Sequence, residues 1–268
     1  MKMLWMDIRE TYSSAWAFAF VCPMLFLIPV IFEFAQHVVE INAGMYLSKR
    51  AAHAAASDPS RMTWGFLKTI AISLPTYWTY RFVISGRNAS YARGLDARAL
   101  MLWGIAFLIL IVGLSWLSLF GPPLGHVLGL AGSAETVAKS VLGGAQAITG
   151  VYLTAWLVAW SQGNLTVGPL RSTRIMSGYF WHTVGLMIAG ILPLMAIHYA
   201  SLLAVGQLRP VVWLLMTLDS LVVGFLAVTM HGASAIAARR AATHKGVSLL
   251  PTQVAHEPLG AFAAPRRA

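Results

Sequence analysis

The sequence predicts an all-α, polytopic membrane protein with about six transmembrane helices. Hydrophobic residues make up 58% of the 268 residues, and charged residues only 10%. A soluble domain carries about 25% charged residues, so this chain has too few to cover a surface that faces water. The mean hydropathy is +0.69. The apolar residues also gather in runs near the roughly 20 residues that a helix needs to cross a bilayer.

The formal net charge of +10 does not indicate a nucleic-acid partner. The basic residues lie beside apolar segments rather than in one patch. Basic flanks of membrane helices set their orientation and bind anionic lipid headgroups. The single cysteine, Cys22, lies in the first apolar segment. It excludes a disulfide within the chain, and we expect it to pack as a small apolar residue.

The N-terminal region is expected to hold three elements. Residues 1–13 predict a short amphipathic helix, with apolar and charged side chains on opposite faces. The first span follows at about 14–34 and contains two prolines, which predict a kink. It is followed by the polar stretch 41–62. The second predicted span, 63–85, contains Lys68 and an aromatic cluster, and we expect it to be tilted or partly interfacial.

The later spans are more uniformly apolar. The third is predicted at 99–120, where Gly-Pro-Pro ends it, and the fourth at 135–160. The fifth starts in the stretch 168–195 and extends to about 205, and the sixth covers 211–238. The stretch 168–195 begins basic, passes through aromatic residues and then becomes apolar. A helix that leaves a charged membrane surface and enters hydrocarbon needs that order.

The distribution of Lys and Arg places both termini in the cytoplasm of a bacterium, with the helical domain, 1–240, in the inner membrane. Residues 241–268 are rich in Pro and Ala, which predicts a disordered cytoplasmic tail. Five residues in basic, aromatic flanks are expected to lie at the interface and bind lipid headgroups. They are Arg87, Arg93, Arg171, Arg174 and Trp181.

Small residues on the fourth span predict close helix packing. Gly143 and Ala147 are four residues apart, a spacing that allows two helix backbones to approach. We expect a helix of the same chain to pack there first, and a second copy as the alternative.

Asp219 lies near the middle of the sixth predicted span. A carboxylate at that depth costs about 2.5–3.5 kcal/mol on insertion scales, so it should face protein or water. It is either a proton or cation site or a hydrogen-bonded packing residue between helices. His198 on the fifth span is a conceivable partner, and Lys68 could line the same path.

Glu33, His37 and Glu40 can share one helix face at the end of the first span. Carboxylate and imidazole groups bind metal ions, which makes the three weak metal candidates. They form no Glu-x-x-His or His-Glu-x-x-His motif. We expect them to contact water or headgroups at the outer interface, so no metal and no other cofactor is predicted.

One segment also carries a family resemblance. PLRSTRIMSGYFWHTVGLMIAGILPL, at 169–194, combines a basic helix start, a Gly–aromatic junction and a long apolar helix. It resembles the YciC-like family of bacterial six-helix inner-membrane proteins and the membrane domain attached to some glycerophosphodiester phosphodiesterases. The resemblance implies a six-helix membrane domain without catalytic residues.

The motifs of common enzyme classes are missing from the sequence, among them the nucleophile elbow, the phosphate loop and the Rossmann fingerprint. We therefore favour a non-enzymatic function, as a scaffold or accessory subunit that binds anionic lipid, a partner membrane protein or a second copy. The alternative is a small transporter or channel that uses Asp219 as an intramembrane proton or cation site. An intramembrane enzyme acting on lipids is the weakest of the three.

Overall fold

The computed structural model describes residues 2–122 and 124–251, and all regular structure in those ranges is helical. The helices are α1 Lys2–Val21, α2 Pro23–Asn42, α3 Lys49–Ala55, α4 Pro59–Ser73, α5 Thr76–Ile84, α6 Ala89–Arg93, α7 Ala97–Phe107, α8 Leu114–Phe120, α9 Leu124–Leu128, α10 Ser133–Trp160, α11 Pro169–Met176, α12 Phe180–Tyr199 and α13 Arg209–His244. A π-helical segment, Leu108–Gly113, joins α7 to α8, and a 3-10 turn, Ala200–Ala204, follows α12.

Five helices are long and apolar enough to cross a membrane. They are α2, the continuous helix from α7 to α8, α10, α12 with its 3-10 extension, and α13. The all-α fold and the multi-pass membrane class are thereby confirmed. The predicted second span, 63–85, is not among the five, because the chain divides it into α4 and α5 around Leu74 and Pro75. Proline lacks the N–H that would continue the helical hydrogen bonds.

The first span also differs from the prediction. α1 continues past the predicted amphipathic helix to Val21, and α2 then begins at Pro23. The break falls at Cys22, whose φ of −125° and ψ of 55° are not helical. Pro23 suits the first position of a helix because its missing N–H would have no partner there. The membrane-crossing helix therefore runs over Pro23–Asn42 rather than 14–34.

Helix α13 is the centre of the bundle, and α1, α2 and α12 pack along it. Phe225 stacks on Trp16 of α1, with ring centroids 5.3 Å apart, and meets Phe26 of α2 edge-on at 4.9 Å. A Cβ on Gly224 would lie 2.5 Å from the Val30 side chain. Only glycine therefore allows α2 to come this close to α13.

One end of the bundle is closed by ion pairs between helices. Asp7 of α1 is fully buried, and Arg240 of α13 donates to its Oδ1 from Nε at 2.9 Å and from Nη2 at 2.8 Å. His182 Nε2 of α12 lies 3.0 Å from the other oxygen. Glu10 pairs with Arg239 beside them. We call these five residues the Asp7 cluster.

Arg81 is buried, although it belongs to the most basic stretch of the sequence. Its guanidinium donates to the carbonyl of Tyr91, at 3.3 Å from Nε and 3.2 Å from Nη2, and to that of Ser161 at 3.3 Å. It also lies 4.2 Å from the centre of the Tyr91 ring, a cation–π contact. Arg81 thus connects α5 to α6 and to the end of α10.

The first part of the predicted tail packs on the bundle. α13 continues to His244, and Leu249 is buried. The Asn164 amide donates to the carbonyl oxygens of Ser248 at 3.2 Å and Leu250 at 3.1 Å. The chain therefore stays ordered beyond residue 240. The rest of the predicted tail, from 252 to 268, lies outside the described residues.

The first half of α10 has few neighbours in the described chain. Every residue from 139 to 150 is exposed. A Cβ added at Gly143, Gly144 or Gly150 would meet nothing within 4 Å. The expectation that the small residues of this helix pack within the chain is therefore wrong for the residues that the structure describes. Their face is free for lipid or another chain.

Candidate functional site

A polar stripe on α2 faces the interior of the bundle. Glu33, Gln36, His37 and Glu40 follow the i, i+3, i+4, i+7 spacing of one helix face. Their exposed fractions are 0%, 4%, 4% and 3%. The expectation that Glu33, His37 and Glu40 contact water or headgroups is therefore wrong. The stripe is buried because α4, α13 and the turn after α2 bring polar partners to it.

Asp219 is the partner that α13 contributes. It is 4% exposed and lies between two imidazoles from different helices. Its Oδ2 is 2.9 Å from His37 Nε2 on α2. Both of its oxygens are 2.9 Å from His198 Nδ1 on α12. The structure thus brings together residues that the sequence presents as two unrelated sets.

Lys68 of α4 lies against Glu33. Its ammonium is 3.2 Å from Oε1 and 3.1 Å from Oε2 of that carboxylate. Oε1 of Glu33 is also 3.3 Å from His37 Nε2. Lys68 is therefore the counter-ion of Glu33 in this structure.

Glu40 is satisfied by other groups of the protein. Its Oε1 accepts from Arg61 Nε at 2.9 Å and from Gln36 Nε2 at 3.0 Å. Its Oε2 accepts from the Tyr46 hydroxyl at 2.8 Å and lies 3.0 Å from His37 Nδ1. Burial and the charge of Glu40 hold the pKa of Tyr46 above its ordinary value, so the hydroxyl remains a donor.

Glu33, His37 and Asp219 have the geometry of a metal site. Each offers one ligand atom, and these atoms all lie within 4.8 Å of one another. We call these three residues the ligand triad. Since His37 Nδ1 is taken by Glu40, its Nε2 faces the two carboxylates. His198 lies outside the triad and holds the Asp219 carboxylate from the other side.

The carboxylates of the site outnumber the lysine and arginine side chains that pair with them. Three carboxylates, of Glu33, Glu40 and Asp219, face two basic side chains, of Lys68 and Arg61. One negative charge remains unless an imidazole or a bound cation offsets it. Because burying an uncompensated charge is costly, the site favours an additional positive charge.

Three of the site residues were not singled out from the sequence: Gln36, Tyr46 and Arg61. Gln36 carries a detectable signal, since it continues the face that Glu33, His37 and Glu40 define. Arg61 carries another, because it is a basic residue in a predicted outer loop, where the positive-inside rule expects few. Tyr46 lies in a turn after α2, and its position in the site depends on how that turn folds.

The predicted headgroup contacts lie elsewhere. Arg87, Arg93, Arg171, Arg174 and Trp181 are exposed, and Trp181 keeps 79% of its surface accessible. Contact with lipid requires such exposure. Their role in lipid binding stays a prediction.

The chain matches no protein-family model, no curated protein and no solved structure. The function is therefore argued from the geometry of the site. The resemblance to the YciC-like family stays a prediction from sequence.

Proposed function

We propose that this multi-pass membrane protein is a small transporter that moves a cation through the site around Asp219. The observation that carries the proposal is the burial of Glu33, His37 and Asp219 between three candidate membrane spans. Ionisable groups inside a membrane are expensive, and they commonly mark the path of an ion or proton. A packing role alone would not require three carboxylates and two imidazoles in one place.

Prolines inside two of the helices around the site support transport. Pro29 lies four residues before Glu33 in α2, and Pro193 five residues before His198 in α12. Proline leaves the carbonyl four residues earlier without its helical donor. For Pro193 that carbonyl belongs to Ala189, and the Tyr12 hydroxyl donates to it at 2.8 Å. Both helices continue through their prolines, and each lacks one helical hydrogen bond close to the site, where local bending would be least costly.

The basic side chains lie between the ligand triad and the outside of the protein. The side chain of Lys68 is 19% exposed and that of Arg61 30% exposed, whereas the carboxylates they bind are at most 4% exposed. A cation that enters from this side meets these two residues before the triad. Lys68 and Arg61 are therefore counter-ions that can exchange with an incoming cation.

Reconstitution of the purified protein into liposomes tests the proposal. The vesicles would hold either a metal-responsive or a pH-responsive dye, so that both kinds of cation are measured. We expect uptake above that of empty vesicles, and a loss of about tenfold or more in Asp219→Asn. Loss of one charged group from a buried site typically costs several kcal/mol. The matched control is Glu135→Gln, because Glu135 lies in α10 and forms an ion pair with the exposed Lys139 rather than with a residue of the site.

Two results would contradict transport. One is uptake at the wild-type rate in both Asp219→Asn and Asp219→Leu. The other is no movement of either kind of cation by correctly inserted wild-type protein. Size-exclusion chromatography of each variant in detergent would show whether it is folded.

A second function, as a scaffold or accessory subunit that binds lipid or a partner membrane protein, is favoured by the exposed half of α10. Gly143 and Gly144 lie on a surface where a second helix could approach closely. If this surface holds a second copy, Gly143→Leu and Gly144→Leu together should convert an oligomer into a monomer in lipid nanodiscs. An unchanged mass would contradict self-association through this face.

A further inference from the structure

We infer that the ligand triad binds a divalent transition-metal ion of the Zn²⁺ class, through Glu33 Oε1, His37 Nε2 and Asp219 Oδ2. This inference rests on the proposed function, since it names the class of cation that the transporter moves. It can nevertheless be tested by binding alone. One nitrogen and two oxygen ligands are compatible with fewer kinds of cation than a negative charge alone would be.

The type of ligand selects the ion. Carboxylate oxygens alone suit Mg²⁺ and Ca²⁺, whereas imidazole favours zinc, iron and similar ions. The triad contains no sulfur ligand, which disfavours Cu⁺. His37 Nε2 is 2.9 Å from Asp219 Oδ2 and 3.3 Å from Glu33 Oε1. Ligands of a tetrahedral ion with bonds of 2.0–2.2 Å lie about 3.3 Å apart, so small shifts would accommodate the metal.

One carboxylate oxygen of Glu33 is not fully satisfied by the described residues. The side chain is fully buried, yet its Oε2 accepts no hydrogen bond within residues 2–122 and 124–251. Lys68 approaches that oxygen to 3.1 Å as an ion pair, without the direction of a hydrogen bond. Buried carboxylate oxygens normally have their hydrogen-bonding capacity filled. The free capacity of Glu33 therefore lies on the side of Lys68, while its other oxygen, Oε1, is the one that lies 3.3 Å from His37 Nε2.

Each of the other two ligands is held by a second group, as in known metal sites. Glu40 Oε2 is 3.0 Å from His37 Nδ1 and turns the opposite nitrogen, Nε2, towards the triad. His198 Nδ1 is 2.9 Å from both oxygens of Asp219. Three protein ligands leave one position of a tetrahedral ion open. An open position lets a water or another ligand bind the ion, whereas structural zinc sites are closed by four protein ligands.

The ammonium of Lys68 neutralises the Glu33 carboxylate, which a bound metal ion would also do. Two positive centres on one buried carboxylate repel each other strongly at low dielectric. Since the Lys68 side chain is partly exposed, its ammonium can turn out to solvent when a metal binds. Lys68 is therefore a competitor of the metal, and its removal should strengthen binding. A group that only stabilises the fold would not have this effect.

The binding experiment uses the full chain, purified in mild detergent with any affinity tag removed. Zn²⁺ is added in a calorimetric titration, and Co²⁺ in a parallel titration followed by visible absorption, which reports its coordination. We expect one Zn²⁺ per chain. We expect the Kd to rise about 100-fold or more in Glu33→Gln and in Asp219→Asn, with loss of the Co²⁺ bands. In Lys68→Gln the Kd should fall about tenfold.

The Asp7 cluster offers a matched control. Asp7 is a buried carboxylate that contacts a histidine of α12, as Asp219 does. It binds Arg240, which is 21 residues from Asp219 and therefore about 30 Å away along α13. Asp7→Asn should leave the Kd for Zn²⁺ within about twofold of wild type. The gain in Lys68→Gln keeps the test decisive even if a ligand variant fails to fold.

Three outcomes would overturn the inference: no saturable binding of Zn²⁺, a Kd unchanged in Asp219→Asn, or Mg²⁺ binding as tight as that of Zn²⁺. The result also separates the site from the proposed function. Proton uptake without metal binding would contradict the metal site but remain consistent with transport. Metal binding without uptake in vesicles would support the metal site and contradict transport.

Discussion

At the scale of single residues, Asp219 and Asp7 are two buried carboxylates with different surroundings. Asp7 accepts two charge-assisted hydrogen bonds from one guanidinium, both at its Oδ1, and such bonds are stronger than those between neutral groups. Asp219 is flanked by two imidazoles, of His37 and His198, among the residues that the structure describes. A carboxylate whose partners are permanently charged is suited to holding helices together. One whose partners are titratable or exchangeable is suited to binding a cation.

Removal of Arg240 should destabilise the protein more than removal of Asp7. Arg240→Met leaves the fully buried Asp7 carboxylate with His182 alone, and we expect a loss of about 3–5 kcal/mol. Asp7→Asn keeps the shape of the side chain, and the partly exposed Arg240 can be solvated by water. We therefore expect a loss of only about 1–2 kcal/mol in the free energy of unfolding. Thermal unfolding in detergent, followed by tryptophan fluorescence, would compare the two. The reverse order would show that Asp7 is not charged in the fold.

At the scale of helices, the site depends on how closely α2 approaches α13. Six of its polar side chains come from α2 and α4, whereas Asp219 comes from α13. The contact at Gly224 sets the distance between α2 and α13 a short way from Asp219. The geometry of the ligand triad is therefore controlled by a residue that is not part of it.

Gly224→Ala tests this control. Its new Cβ would lie 2.5 Å from Val30 and 3.1 Å from the Phe26 ring, so α2 must shift or those side chains must repack. We expect a loss of about 1–3 kcal/mol of stability and weaker Zn²⁺ binding with the ligands intact. Gly143→Ala is the control, since its Cβ meets nothing. Alanine there should be neutral or slightly stabilising. Unchanged Zn²⁺ binding in Gly224→Ala would show that this contact does not control the triad.

The sequence predicts most of the long helices, because hydrophobic length and breakers such as Gly121 are local signals. Its failures are also local in origin. α1 and α2 are divided at Cys22 rather than at Pro29, since Pro29 is tolerated inside α2.

The partners of the site could not be predicted from the sequence for another reason. His37 and Asp219 are 182 residues apart, and only the packing of α2 on α13 brings them together.

At the scale of the whole molecule, the orientation in the membrane remains a proposal from the distribution of basic residues. Both termini are proposed to lie in the cytoplasm of a bacterium. Five spans alone would leave the termini on opposite sides, so this proposal requires α4 and α5 to cross together as a sixth, broken span, from Arg61 beside Glu40 to Val83 beside Arg239. It puts the Asp7 cluster on the cytoplasmic side and the ligand triad towards the opposite face. A reporter enzyme that is active only in the periplasm, fused after Ala268, should stay inactive. A fusion within the loop after α2 should be active. Reversed activities would invert the arrangement.

The break at Cys22 lies between the two charged clusters, and this position has a mechanical consequence. α1 is fastened at its far end by Asp7 and Glu10, while α2 is held by Glu33, His37 and Glu40. Bending concentrates where helical hydrogen bonds are interrupted. We therefore expect any tilt of α2 to take place at Cys22 and to leave α1 in place beside the Asp7 cluster. The ion pairs at one end of the bundle would then persist while the site at the other end changes shape.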